Sequence, residues 1–276
     1  MTLEQAVRAA TGRSVGRTER VGGGDINEAY RVQFADESFA FVKTRADVAP
    51  GEYAAEAAGL GWLAEPNGLR VPAVLGVGDT VLVLDWVDEG GRGDPAAFGA
   101  GLAEVHAAGA DEFGGAAPLR LGPLALPNEP AADWPAFYAE RRLLPLLEHA
   151  GLTRFGNKAV ESVCARIHEL AGPPEPPARL HGDLWSGNVL WGRDGRAWLI
   201  DPAAYGGHRE VDLAMLRLFG APSERVFEAY AETAPLAEGW ADRVELYHLL
   251  PLLVHALLFG GSYAGAVERA ARRYAG

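Results

Sequence analysis

A chain of 276 residues with 25 lysines and arginines against 37 aspartates and glutamates carries a formal charge of −12, and no basic block interrupts that balance, which argues against generic binding to nucleic acid or to an anionic membrane. The single cysteine, Cys164, cannot pair within the chain; this excludes a disulfide-built fold and points to a reducing, cytoplasmic compartment with an inert buried thiol. The length is enough for one large domain or two lobes with real cores.

Residues 1–13 include Glu4 and hold no continuous apolar run, so no secretory signal is expected. Leu3, Ala6, Val7 and Ala10 recur at helical spacing and predict a short helix ended by Gly12. Then come Gly22, Gly23, Gly24, Asp25, Ile26 and Asn27, flanked by strand-like residues. Glycine lets backbone amides approach phosphate oxygens with no Cβ in the way, so these six positions are candidates for a hairpin tip that covers a nucleotide. Taken alone, a glycine triplet also describes a plain flexible turn. A Walker A loop is excluded, because no Gly-Lys-Ser/Thr follows.

In residues 38–44, Phe39, Phe41 and Lys43 share one face of an alternating strand. Lys43 is either an edge residue snorkelling into solvent or a lysine placed to pair with nucleotide phosphates. The second reading gains from the helix predicted over 51–64, where Glu56 lies on the same inward side as Leu60 and Leu63 and wants a cationic partner. Glu52, one turn earlier, is the alternative partner. Residues 71–78 and 80–87 supply two more strands, the second ending at Asp85-Trp86-Val87 before a glycine-rich, charged exit. The boundary is placed there, giving a nucleotide-covering part over 1–87 and a catalytic and acceptor-binding part over 88–276. An adenine is expected against the backbone of Asp85 and Val87.

Helices are predicted over 95–108, 134–150 and 156–171, with His106 as a core histidine and a loose hairpin over 113–130. A polyproline-like stretch, 172–177, leads into His181-Gly-Asp-Leu-Trp-Ser-Gly-Asn188. Asp183 and Asn188 have the spacing of the catalytic loop H-R-D-x-x-x-x-N, and Asp201 ends the next apolar strand. Phosphoryl transfer needs a carboxylate beside the attacking hydroxyl and oxygen ligands for Mg²⁺. Asp183 suits the first task, Asn188 and Asp201 the second. Trp185 is an unusual residue for an exposed loop and lies either against the acceptor or packed beneath the loop. Asp212 is read as structural, capping amides or bonding back to the loop. Over 240–263 a helical region carries His248, read as core, and His255 on the same side. The apolar run 249–267 is long enough for a membrane span, but Pro251, His255 and the Gly260-Gly261-Ser262 break favour a buried helix.

Taken together, His181-Gly-Asp-Leu-Trp-Ser-Gly-Asn188, Ile200-Asp-Pro-Ala203, Gly207-His-Arg-Glu-Val-Asp-Leu-Ala-Met215, Leu250-Pro-Leu-Leu-Val-His255 and Leu258-Phe-Gly-Gly-Ser-Tyr263 resemble the fructosamine-3-kinase (ketosamine-3-kinase) family. The His-Gly-Asp and Ile-Asp-Pro elements are shared with aminoglycoside phosphotransferases and choline kinases; Trp185-Ser-Gly and Gly207-His-Arg-Glu narrow the likeness. The resemblance implies an α+β, two-lobed protein-kinase-like fold, with a small antiparallel sheet and one main helix in the N-lobe and a larger, mostly helical C-lobe. It implies ATP-dependent phosphorylation, with Mg²⁺, of the sugar 3-hydroxyl of a small or protein-linked ketosamine, and deglycation as the outcome. It also raises His255 as a second acceptor contact beside Trp185. The chain departs from the family in Asp25, where many members carry cysteine, in residues 113–130, and in Leu218-Phe-Gly-Ala-Pro222, which lacks a usual second glycine. A kinase for an aminoglycoside, choline or other small alcohol is the alternative within enzymes, and a nucleotide-binding pseudokinase scaffold is the alternative outside them.

Overall fold

Thr2 and Gln5 cap the first helix reciprocally, Gln5 N donating to Thr2 Oγ1 at 3.3 Å and Thr2 N to Gln5 Oε1 at 3.0 Å, so two amides that a helix start leaves unpaired are satisfied. This helix, α1 (Leu3–Thr11), stops at Gly12, whose φ of 71° is left-handed. The computed structural model describes residues 1–22, 27–131, 133–220 and 222–276. They form two compact units, one of residues 1–94 and 188–202, the other of residues 95–187 and 203–276.

In the first unit, β1 (Val15–Val21), β2 (Glu28–Phe34), β3 (Phe39–Thr44), β4 (Val74–Gly78) and β5 (Val81–Asp85) make an antiparallel sheet in the order β1-β2-β3-β5-β4. Between β3 and β4 the chain forms α2 (Glu52–Ala64). The two helices cover opposite faces, so the strand alternation sorts side chains between them. Val32, Ala40, Val42, Val81 and Val83 pack with Ala6 and Val7 of α1. Leu82 and Leu84 pack with Tyr53 and Leu60 of α2, with Phe41 beside them. This is why β5 is apolar from Val81 to Leu84. It also puts Lys43, in step with Phe41, on the α2 side. A short hairpin of Val189–Trp191 and Ala197–Leu199 completes this unit, tied on by Leu199 N to Arg70 O at 2.8 Å and Gly90 N to Trp191 O at 3.1 Å.

The second unit is mostly helical, around a core that includes Trp134, Phe137, Tyr138, Val160, Tyr247 and Leu253. Helices Pro95–Ala107 and Glu224–Thr233 approach so closely that a Cβ on Gly99 would lie 2.1 Å from the Val226 carbonyl oxygen. The hairpin read over 113–130 is present as Leu119–Leu121 against Leu124–Leu126. The helix read over 134–150 is instead Trp134–Phe137, a π-helical turn Tyr138–Leu143, and Leu144–Leu147. Pro145 has no amide to bond the Arg141 carbonyl; Arg142 Nη1 donates to that carbonyl at 3.1 Å, and the widened turn carries Arg142 fully inside. The region read over 156–171 breaks at Arg166 into Arg154–Ala165 and Ile167–Leu170. The last region is three helices, Trp240–Tyr247, Leu249–Phe259 and Ser262–Tyr274, and among the described residues no helix is long and apolar enough to cross a membrane.

Candidate active site

Lys43 is the centre of the polar cluster in the first unit. It is only 6% exposed, and its Nζ reaches Glu56 Oε1 and Asp201 Oδ1, each at 2.8 Å. Burial opposes a charge on Lys43, but the carboxylates of Asp201 and Glu56 outweigh it and raise its pKa. Burial raises the pKa of Glu56, with the ammonium of Lys43 pulling the other way. Glu52 is engaged elsewhere: it takes Arg45 Nη2 at 2.6 Å. Asn27 Oδ1 accepts from Arg45 Nη1 at 3.1 Å and Tyr53 Oη at 3.0 Å, which fixes the end of the glycine segment to α2. Gly22 is exposed, while Gly23, Gly24, Asp25 and Ile26 lie outside the described residues. At the end of β5 the Asp85 amide is committed to Ala73 O at 2.8 Å, and Val87 is buried.

Asn188 and Asp201 flank the open end of the short hairpin. Val189 pairs with Leu199, and Ile200 N donates to Asn188 O at 3.1 Å, so the two candidate ligands leave neighbouring strands together. Asp201 sits at φ 55°, a left-handed conformation that a non-glycine residue seldom adopts. That turn of the backbone is what lets its carboxylate reach Lys43.

Asp183 lies in the second unit, on a loop entered from the strand Ala178–Leu180, which pairs with Tyr205–Gly207. Gly182 at the bend has φ 81°, and a Cβ there would come within 1.9 Å of the Ala203 carbonyl oxygen, so only glycine fits. The loop is clamped from below by Asp212, whose Oδ2 accepts from His181 N at 2.7 Å and Oδ1 from Gly182 N at 2.9 Å. His106 Nε2 lies 3.2 Å from the same Oδ2, and its Nδ1 lies 2.8 Å from Tyr230 Oη. His106 is thus a satisfied core histidine, as read, and also the back support of the clamp. Asp212→Ala would leave one buried and one partly buried amide without acceptors and is expected to lower stability by about 2–4 kcal/mol, measured as a shift of the urea midpoint; a shift within error would show that water takes over both bonds.

Asp183 and His255 line one pocket with Leu121, Val211, Met215, Leu250 and Val254, so its walls are mostly apolar, and among the described residues Asp183 is the one carboxylate on them. His255 Nδ1 lies 2.7 Å from the Pro251 carbonyl, a contact that needs a donor there and leaves Nε2 as the acceptor in the neutral ring. Burial lowers its pKa, the Pro251 bond opposing, and so favours that neutral ring. His248 bonds Ala214 O at 2.8 Å and serves the core. Trp185 is 38% exposed, its ring resting over Gly187 and edge-on to Phe219 at 6.5 Å. It packs on the loop and still presents a face. Phe219, Phe259 and Tyr263 lie in stretches quoted from the sequence but were given no role of their own there, although they make the ring contacts of His255 at 4.6, 5.4 and 5.0 Å. An aromatic residue next to glycine at a helix end is the signal that could have marked Phe219 and Phe259.

The model of the fructosamine kinase family matches residues 1–275. A Thermus thermophilus protein named a probable ketoamine kinase is 41% identical over 251 residues, covering 90% of each chain. A crystal structure from Thermobifida fusca, assigned as a fructosamine-3-kinase, superposes with a TM-score of 0.93 at 47% identity and covers 99% of this chain and 98% of that one. A macrolide 2'-phosphotransferase from Brachybacterium faecium, at 19% identity and a TM-score of 0.62 over 97% of this chain and 95% of its own, shares the fold alone. The mixed architecture, an antiparallel N-terminal sheet followed by a helical part, is that of protein-kinase-like phosphotransferases. The chain belongs to the fructosamine kinase family.

Proposed function

We propose that the protein transfers the γ-phosphoryl group of ATP to the sugar 3-hydroxyl of ketosamines, glycation adducts of amines, so that the phosphorylated adduct decomposes and frees the amine. The observation that carries phosphoryl transfer is the buried ammonium of Lys43 held between Glu56 and Asp201, in a chain of this family. The substrate class rests on relatives named for ketoamines and ribulosamines.

In this reading Asp183 accepts the proton of the attacking hydroxyl, and the apolar walls around it exclude water that would compete for the phosphoryl group. Lys43, kept charged and aimed by Glu56, stabilises the α/β-phosphates. Residues 1–87, with the stretch Gly22 to Asn27 and the backbone of Asp85 and Val87 at the end of β5, would cover the nucleotide, and residues 88–276 would supply the loop and the acceptor. Since the Asp85 amide is already used, its carbonyl is the group offered to adenine. Asn188 and Asp201 fit Mg²⁺: both are hard oxygen donors on adjacent hairpin ends, and this ion commonly takes one or two protein ligands and the rest from phosphates and water. When bound, Mg²⁺ would neutralise charge on the phosphates. Trp185 and the neutral His255 would hold the sugar, Nε2 of His255 accepting a hydrogen bond from a sugar hydroxyl. A reducing cytoplasm suits Cys164, half-buried, with a thiol pKa that burial pushes up to about 12.

The test is an acceptor screen that follows ADP release with glycated lysine, glycated peptides, aminoglycosides, choline and free ketoses. Turnover with the glycated amines is expected. A response only to unglycated alcohols would replace the ketosamine reading with the small-alcohol kinase, and no turnover with any acceptor would leave a nucleotide-binding scaffold.

A further inference from the structure

Of the three exposed aromatic side chains among the described residues, Phe155, Trp185 and Phe259, two belong to one ring cluster beside the acceptor pocket. From His255 on the pocket wall the rings run outward to Phe219 at 4.6 Å, Tyr263 at 5.0 Å and Phe259 at 5.4 Å, with Phe259 and Tyr263 6.4 Å apart. Phe259 is 55% exposed, so core packing does not account for it. An exposed aromatic group continuous with a ligand pocket is the usual sign of a contact surface. The backbone adds an independent observation. Gly260 (φ 62°, ψ −139°) and Gly261 (φ 64°, ψ −135°) are consecutive residues in conformations open in practice only to glycine, although nothing within 4 Å would obstruct a Cβ on either. The requirement is therefore conformational. This corner folds the helix Ser262–Tyr274 back so that Tyr263 meets His255 and Phe259.

We propose that Phe219, Phe259 and Tyr263 form a subsite for the amine-bearing arm of the ketosamine, and that it selects apolar or aromatic arms over compact ones. This rests on the ketosamine reading above. With the sugar between Asp183 and His255, the amine nitrogen is only a few bonds from the reacting hydroxyl, and its substituent must leave the pocket past His255. The ring faces there attract the substrate's ammonium. The lowered pKa of His255 keeps a competing positive charge off the ring they surround.

The experiment compares kcat/KM for the fructose-type adducts of methylamine and of benzylamine in the wild type and in Phe259→Ala, Phe259→Leu, Tyr263→Ala and Gly260→Ala, with thermal melts of each. The wild type is expected to prefer the benzylamine adduct, and each alanine variant to lower the benzyl-to-methyl ratio by roughly two- to tenfold, with Phe259→Leu losing less than Phe259→Ala. Taking the ratio cancels any general disturbance of His255. An unchanged ratio in the folded variants, or equal use of both adducts by the wild type, overturns the subsite while leaving the ketosamine reading intact. Failure of the wild type to phosphorylate either adduct overturns that reading and the subsite with it.

Discussion

Replacing Asp183 with asparagine is expected to lower kcat by roughly 10²–10⁴-fold, the usual contribution of a positioned base, while the KM for ATP stays within about twofold. The substitution keeps shape and removes basicity. The loop backbone is held by Asp212 through the amides of His181 and Gly182 and bent at a glycine that nothing else can replace. Asp183 N donates to His181 Nδ1 at 3.2 Å, a bond the variant retains. The loss should therefore appear in the chemical step. Steady-state kinetics with a saturating ketosamine, paired with ATP binding by calorimetry, makes the check; near-normal turnover would remove Asp183 from the role of base.

Lys43→Met is expected to act on both activity and stability. With the ammonium gone from the nucleotide phosphates, kcat should fall by about 10²–10³-fold, the loss that follows removal of one preorganised electrostatic donor. In the fold, Glu56 and Asp201 lose their shared cation. Breaking a buried pair typically costs about 3–5 kcal/mol, but the Asp201 side chain is 36% exposed and water screens its share, so the lower end of that range is the expectation. The deficit should depend on pH with a definite sign. Burial already raises the pKa of Glu56, and removing Lys43 raises it further, so the folded variant binds a proton that the unfolded chain releases above the ordinary glutamate value of 4.5. Lowering the pH towards 4.5 should then narrow the gap in urea midpoint between variant and wild type. A gap that is constant or widens on acidification would mean that Glu56 is not left unpaired.

Much of the first unit was legible because its patterns are local. The helical spacing of Leu3, Ala6, Val7 and Ala10 and the glycine at position 12 delimit a helix without help from elsewhere, and the alternation of residues 39–43 assigns Lys43 a face. The helical repeat of 51–64 points Glu56 inward, and the 2.8 Å bond joins them. What local pattern left open was which acid would win. Glu52 and Glu56 share a helix side, and only the position of Arg45, one strand end away, takes Glu52 out of competition. The long helices of the second unit were misjudged where tertiary packing overrides periodicity: Pro145 and the inward turn of Arg142 break one, and Arg166 breaks another.

By itself the sequence determined the chemistry available: a carboxylate and an amide at catalytic-loop spacing, a further carboxylate at a strand end, and a lysine and glutamate on facing sides of a strand and a helix. These depend on spacing along one element, which a sequence states directly. Only the tertiary structure decided what each group touches. The left-handed backbone at Asp201 swings its carboxylate onto Lys43, the clamp under the loop joins residues 106, 181, 182, 212 and 230, and two glycines turn Tyr263 onto His255. Such contacts join positions far apart in the chain or depend on one unusual dihedral, and neither leaves a periodic trace in the order of residues.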